Sequence, residues 1–134
     1  MIVPSIGDKS ALSLHVTSGV VEQFAGLTGD TNPVHLDEAY AAATRFGRRI
    51  AHGMLGGGLI SAVLGTRLPG PGCIYLSQHL EFKAPIYVGD DVTAEVEVIA
   101  VRPDKPILTM RTTCTRSDGT MLITGEAVVF LPKD

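Results

Sequence analysis

Residues 53–68 read GMLGGGLISAVLGTRL, and they constrain how the rest of the chain can be arranged. Apolar residues fall on nearly every side of the helix that this segment predicts, and the run Pro69-Gly70-Pro71-Gly72 ends it. A helix without a polar face has to be covered by other elements, so it belongs in the centre of a fold. We therefore expect a long central helix from Gly53 to Leu68.

Three consecutive glycines, Gly56 to Gly58, lie inside this helix. Each costs about 1 kcal/mol of helix stability relative to alanine, so each needs a reason. Close packing of the helix on a sheet explains a missing side chain, and so does a ligand that approaches the helix backbone. We expect packing to account for at least two of the three.

The segments on either side predict the elements that cover this helix. Alternating apolar residues at 12, 14 and 16 predict a first strand, and apolar residues at helical spacing over 20–27 predict a helix after Thr17-Ser18. Asp37 begins a short helix that Gly47 ends. After the central helix the period changes to two, which predicts strands near 74–82, 92–98, 107–116 and 121–131. This order predicts an α+β fold in which an antiparallel meander wraps the central helix.

Apolar residues also fall on the opposite faces of the later strands, at Ile99, Val101, Val129 and Leu131. Strands that are apolar on both faces need a second surface to cover them, and a homodimer is its simplest source. We therefore predict a homodimer.

Length and composition exclude several classes of protein. A chain of 134 residues is expected to form one domain, 1–134, and 45% apolar with only 19% charged residues argues against disorder. A net charge of −3 with no block of like charge argues against nucleic acid as a partner. The longest apolar stretch, 54–64, is too short to span a membrane, and the first residues lack the pattern of a secretion signal.

The cysteines and histidines have no spacing that predicts a disulfide or a metal site. Cys73 and Cys114 lie in strand-like segments without CxxC spacing, so we expect reduced core thiols in a cytoplasmic protein. The four histidines have no metal-ligand spacing, so no metal site is predicted.

The segment 24–35, FAGLTGDTNPVH, carries the candidate chemistry. It places Asp30 and His35 five residues apart, and Asn32-Pro33 between them predicts a turn that can bring both side chains to one small volume. A carboxylate and an imidazole so placed can hold and move the protons of a bound water. Spacing alone leaves a second interpretation open, in which these are ordinary turn residues and His35 lies on the surface.

A second candidate lies at the start of the central helix, where residues 48–53 read RRIAHG. The first N–H groups of a helix are unpaired and carry partial positive charge. Gly53 has no side chain and lets an oxygen reach them, which is the geometry of an oxyanion hole. We expect His52 either to contact a ligand or to satisfy backbone groups at the helix start.

Other residues near these segments have less specific interpretations. Arg45, Arg48 and Arg49 could meet phosphate groups of a ligand, but we expect them to be solvated surface residues. We expect Leu64 to belong to the core more often than to a pocket.

Three motifs together resemble one family. FAGLTGDTNPVH followed by Ala41, then HGM at 52–54, and FKAPIYVGD at 82–90 resemble the (R)-specific enoyl-CoA hydratases of the MaoC-like hot-dog group. The resemblance implies a hot-dog fold, a homodimer, and reversible hydration of trans-2-enoyl-CoA to (R)-3-hydroxyacyl-CoA. It requires no cofactor, because coenzyme A is part of the acyl-CoA substrate.

The same resemblance assigns roles to four residues. It implies that Asp30 and His35 are the catalytic pair and that Gly53 donates its N–H to the oxyanion. It also implies that Ser61, two helical turns along, hydrogen-bonds near the pair, helps to orient it and binds substrate. Three alternatives stay open: a dehydratase acting on acyl carrier protein, a hot-dog acyl-CoA thioesterase, and a non-catalytic acyl-binding module.

Overall fold

The structure is a computed structural model and describes residues 3–132, so the two residues at each end of the expected domain lie outside the described range. In this described part of the chain, nine elements follow one another: β1 Lys9–His15, α1 Ser18–Thr28, α2 Pro33–Leu36, α3 Glu38–Ala42, α4 Gly53–Thr66, β2 Ile74–Phe82, β3 Asp91–Val101, β4 Ile107–Arg116 and β5 Met121–Phe130.

These elements confirm the predicted α+β fold. Five strands form one antiparallel sheet in the order β1-β3-β4-β5-β2. The expected meander is correct for β3, β4 and β5 but wrong for β2, which pairs with β5 rather than with β3. The physical reason is that β1 occupies the edge of β3, and a period of two reveals a strand without revealing its neighbour.

The central helix is confirmed, although it ends at Thr66 and not at Leu68. α4 packs against β1, β3 and β4. Ile60, Val63 and Leu64 are at most 1% exposed and contribute to the core beside apolar side chains of the strands. Leu64 is therefore a core residue.

Packing explains two of the three consecutive glycines, as expected. A Cβ at Gly56 would collide with the Ile123 side chain, and a Cβ at Gly57 would lie 3.0 Å from the terminal carbon of Met54. Gly58 is different, because a Cβ there would meet nothing within 4 Å.

One premise of the dimer prediction is wrong. Val129 and Leu131 are at most 3% exposed and belong to the core of this chain, so they leave no second surface to cover. Register shifts at Ile99 of β3 and at Leu122 of β5, the latter opposite Cys114 and Thr115 of β4, interrupt the strict alternation that assigned faces from the sequence.

The structure also tests the expectations of reduced core thiols and of no membrane-spanning helix. Cys114 is buried, which raises the pKa of its thiol to about 12, and Cys73 is partly buried just before β2. Both are unpaired thiols. Within residues 3–132, no helix has the length and apolar character needed to cross a membrane.

Candidate active site

The segment between α1 and α2 is built by short-range hydrogen bonds. α1 ends at Gly29, whose φ of 80° is the left-handed conformation that favours glycine and turns the chain out of the helix. The Thr28 hydroxyl accepts from the Asp30 N–H, and the Asp30 carboxylate accepts from the Asn32 N–H, each at 3.2 Å. The Asn32 side chain accepts from the Val34 N–H and caps α2. The predicted turn is thus confirmed.

A short helix, α2, was not predicted here. Pro33 occupies its beginning, where the missing N–H of proline is not needed. This turn of helix carries His35 inward while Asp30 stays exposed.

His35 is buried, with 7% of its surface exposed, so the interpretation of it as a surface residue is wrong. Its Nδ1 lies 2.7 Å from the Ile50 carbonyl oxygen, which can only accept, so Nδ1 carries the proton and Nε2 stays available as an acceptor. Burial lowers the pKa of His35 below its ordinary value of 6.5, and the neighbouring His52 ring acts in the same direction. The Ile50 carbonyl and the Asp30 carboxylate oppose that shift. The ring is therefore neutral at neutral pH.

His52 is the functional residue whose role the sequence left undecided. Its ring stacks on the His35 ring with centroids 3.8 Å apart and planes 27° apart, and it also packs against Phe24. Its Nε2 lies 2.9 Å from the Asp30 backbone oxygen and donates to it. One ligand-type atom from each of Asp30, His35 and His52 lies within 4.8 Å of the others. The sequence signal that could have assigned His52 to this cluster is its position directly before Gly53.

This cluster suits proton transfer better than metal binding. Ring-nitrogen lone pairs lie in the planes of their rings, so two nearly parallel stacked imidazoles do not direct them at one point. A bound zinc ion needs ligands that converge from well-separated directions.

Gly53 is the first residue of α4, as predicted. The residue before it, His52, gives the helix no side-chain cap, and within residues 3–132 the Gly53 N–H donates to no protein group. A Cβ at Gly53 would lie 2.7 Å from the Phe82 ring, so glycine is also required by packing. The helix start therefore offers a donor at the edge of the cluster, with the partial positive charge of a helix N-terminus.

Arg49 corrects the prediction that all three arginines are surface residues. It is 7% exposed, and its Nε donates to the His35 backbone oxygen at 2.6 Å. Its Nη1 donates to the Ser18 hydroxyl at 2.9 Å and lies 3.5 Å from the Glu38 carboxylate. One side chain thus ties α1, α2 and α3 together. Sequence reasoning missed this because nothing local distinguishes Arg49 from its exposed neighbour Arg48.

Within residues 3–132, two cavities are lined in part by neighbours of the cluster. The first has a volume of about 480 Å³, and its lining includes Gly53, Met54 and Phe82 with Arg45 and Lys83. The second has about 560 Å³ and is mostly apolar; its lining includes Phe24, Thr28, Met54, Gly58, Ser61, Tyr75, Leu76 and Leu80. Neither lining contains Asp30 or His35, but Gly53 connects the first cavity to His52, and Thr28 connects the second to Asp30.

Ser61 does not form the predicted hydrogen bond near the pair. It is exposed and borders the second cavity. Among the hydrogen bonds of residues 3–132, none joins Ser61 to Asp30 or His35. The structure thus brings together Asp30, His35, His52 and Gly53, and places Ser61 in the adjoining cavity.

The fold and this site define a hot-dog protein equipped for acid–base chemistry, and comparison with known proteins agrees. The model of the MaoC like domain matches residues 4–119. The chain is 54% identical to an (R)-specific enoyl-CoA hydratase of Aeromonas caviae, over 95% of each protein. It is 53% identical to the (R)-specific enoyl-CoA hydratase of Rhodospirillum rubrum, over 94% of this chain and 87% of that one.

A solved structure extends the likeness to three dimensions. The (R)-hydratase from A. caviae involved in PHA biosynthesis superposes with a TM-score of 0.93 at 53% identity, covering 96% of this chain and 98% of that chain. The chain belongs to the MaoC-like family.

Proposed function

We propose that this protein is an (R)-specific enoyl-CoA hydratase that adds water reversibly to a trans-2-enoyl-CoA and forms an (R)-3-hydroxyacyl-CoA. The observation that carries this proposal is the meeting of an exposed carboxylate, Asp30, with a buried neutral imidazole, His35, beside the unpaired N–H of Gly53. The full-length relatives with this activity in their names support the same conclusion.

The chemistry follows from what each group can hold. The Asp30 carboxylate accepts a proton from a water that also donates to His35 Nε2, and the resulting hydroxyl adds to the β-carbon. The electron pair of the double bond moves to the thioester carbonyl oxygen, where the Gly53 N–H stabilises the enolate. Asp30 then returns the proton to the α-carbon. Delivery of both groups from one side gives syn addition and a product of one hand.

The two cavities fit the two halves of an acyl-CoA. Arg45 and Lys83 place positive charge on the rim of the first cavity, where the phosphates of the coenzyme can pair with them. The second cavity is lined mainly by apolar groups and suits the acyl chain, with Ser61 as a polar group on its wall. This assigns Ser61 a substrate-binding role without a bond to the catalytic pair.

A homodimer is the proposed working unit, and β2 is its proposed interface. β2 lies at the edge of the sheet and pairs on one side only with β5. Ile74, Tyr75, Leu76 and Phe82 are 39–53% exposed along it. An exposed apolar edge strand favours pairing with another strand. Sedimentation analysis of the wild type should show a dimer, and Leu76→Lys should shift the equilibrium toward monomer. A monomeric wild type would contradict the dimer, and a Leu76→Lys variant that remains fully dimeric would contradict the interface.

The remaining parts of the proposal concern the domain and its compartment. Residues 1–134 are proposed to form one hot-dog domain, because β1 and β5 come from opposite ends of the described chain and join the same sheet. The two unpaired cysteines support a reducing, cytoplasmic location.

The decisive experiment is to mix purified protein with crotonyl-CoA, follow the loss of enoyl thioester absorbance, and determine the hand of the product. We expect rapid loss, (R)-3-hydroxybutyryl-CoA as product, and no free thiol. Release of free coenzyme A would instead indicate a thioesterase. A parallel assay with crotonyl-acyl carrier protein tests the dehydratase alternative, which a much higher kcat/KM for that carrier would favour.

A further inference from the structure

His52 combines features that a residue placed only for packing would not need. It occupies the N-cap position of α4 but makes no capping hydrogen bond, although Ser, Thr, Asp or Asn would do so there. Its side chain is 3% exposed, and its Nδ1 has no hydrogen-bond partner within the described residues. An unpaired buried acceptor destabilises the folded state.

The side chain instead connects three parts of the site. Its Nε2–H donates to the backbone oxygen of Asp30, 22 residues earlier in the chain. Its ring stacks on the ring of His35, and its backbone is bonded directly to Gly53. We propose that His52 is a positioning residue, which fixes the catalytic acid, the imidazole and the oxyanion donor relative to one another.

The hydrogen bond from His52 to the Asp30 backbone oxygen also defines the tautomer of the His52 ring. A carbonyl oxygen can only accept, so the proton of a neutral His52 resides on Nε2 and Nδ1 is the bare acceptor. The groups that face the ring are the Asp30 segment, the His35 ring and the apolar Phe24. Stacking on His35 and the hydrogen bond to Asp30 together hold the ring in one orientation.

This inference rests on the proposed hydratase function, and two variants separate the two contacts of the ring. His52→Phe keeps an aromatic ring against His35 but loses the donor to Asp30. His52→Gln keeps an N–H near the position of Nε2 but loses the ring. His15→Gln is the matched control, because His15 is exposed and pairs with Asp91 at the end of β1.

We expect His52→Phe to lower kcat on crotonyl-CoA about 10- to 100-fold, since small misplacement of reacting groups has effects of this size. KM should stay within about twofold, and His52→Gln should recover part of the lost kcat. In an Asp30→Asn background, His52→Phe should cause little further loss, because its contribution passes through the pair. The control should match wild type.

Two results would overturn the proposal. One is wild-type kcat in a folded His52→Phe; if that variant fails to fold, wild-type kcat in a folded His52→Leu, which lacks both the ring and the donor, decides equally. The other is a full additional loss in the Asp30→Asn background.

A measurement independent of activity separates this proposal from the proposed function. NMR titration of the His35 ring should show a changed midpoint in His52→Phe and none in His15→Gln. If the wild type does not hydrate crotonyl-CoA but the His35 midpoint still changes in His52→Phe, the proposed function fails and the contact between the two rings stands. A His35 midpoint that is the same in wild type and His52→Phe contradicts the positioning role itself.

Discussion

The two segments that meet at the site are held in different ways. The acid-bearing segment, 28–35, is shaped by hydrogen bonds between residues two apart, and its Asp30 is exposed. The supporting segment, 49–53, is held by contacts between residues far apart in the chain, and its Arg49 and His52 are buried. The proposed reactive group is thus placed on a locally built turn, while its alignment depends on the tertiary structure.

This difference has a consequence for substitution. A change at Asp30 should remove activity without affecting stability, because few tertiary contacts depend on its side chain. A change in the supporting segment should affect stability and activity together. Four predictions test this contrast, from the largest effect to the smallest.

Asp30→Asn should lower kcat about 10³-fold or more, since it removes the proposed base and acid. Asparagine keeps an oxygen that accepts from the Asn32 N–H, so the turn and the melting temperature should be retained. Steady-state hydration of crotonyl-CoA and a thermal melt check this. Asp37→Asn is the control, because it makes the same change at another exposed aspartate whose carboxylate accepts from a backbone N–H. Substantial turnover by folded Asp30→Asn would refute the assignment.

Gly53→Pro should lower kcat about 10²- to 10³-fold, the usual effect of removing one oxyanion donor. Proline suits the first position of a helix, and the ψ of 134° at His52 is compatible with a following proline. Gly53→Ala is the matched control, because it adds a Cβ against Phe82 and keeps the N–H. Equal kcat values for the two variants would exclude the N–H as a catalytic donor.

Arg49→Met should lower the free energy of unfolding by about 2 kcal/mol, because it removes charge-assisted hydrogen bonds that tie three helices together. Glu38 is 72% exposed, so its ion pair contributes little of this. Urea unfolding measures the change, and Arg48→Met, at the exposed neighbour, should be close to neutral. A similar loss in both variants would show that Arg49 is not a specific tie.

His35 should give the smallest effect, a pH dependence of stability. Burial lowers its pKa in the folded state below the ordinary 6.5, so the unfolded state binds the proton more readily. The stabilisation of the neutral ring is therefore complete above pH 6.5 and is lost as the pH falls below that value and through the folded pKa. As the pH is lowered from 7.5 to 5, the melting temperature should fall more steeply in wild type than in His35→Gln. Parallel curves for the two proteins would contradict the lowered pKa of His35.

Much of the fold could be predicted because its signals are local. Thr17 caps α1 through its own side chain, so the start of this helix is readable without knowing the fold. The apolar run that marks α4 and the period of two that marks the four later strands are equally local. The proximity of Asp30 and His35 follows from the turn between them.

Other features could not be predicted, for a common reason. The pairing of β2 with β5, the burial of Arg49 and the stacking of His52 on His35 all join residues well separated in the chain. Arg48 and Arg49 are adjacent and chemically identical, yet one is exposed and the other buried. Only the packing of α1, α2 and α3 distinguishes them.

The sequence by itself determined the elements other than α2, including the central helix, and the acid–imidazole motif, because backbone preferences and capping act over a few residues. The tertiary structure alone decided which strands are neighbours and which side chains align the motif with the start of α4. These choices depend on closing long loops and burying groups against distant partners, and such free energies are not contained in any short stretch of the chain.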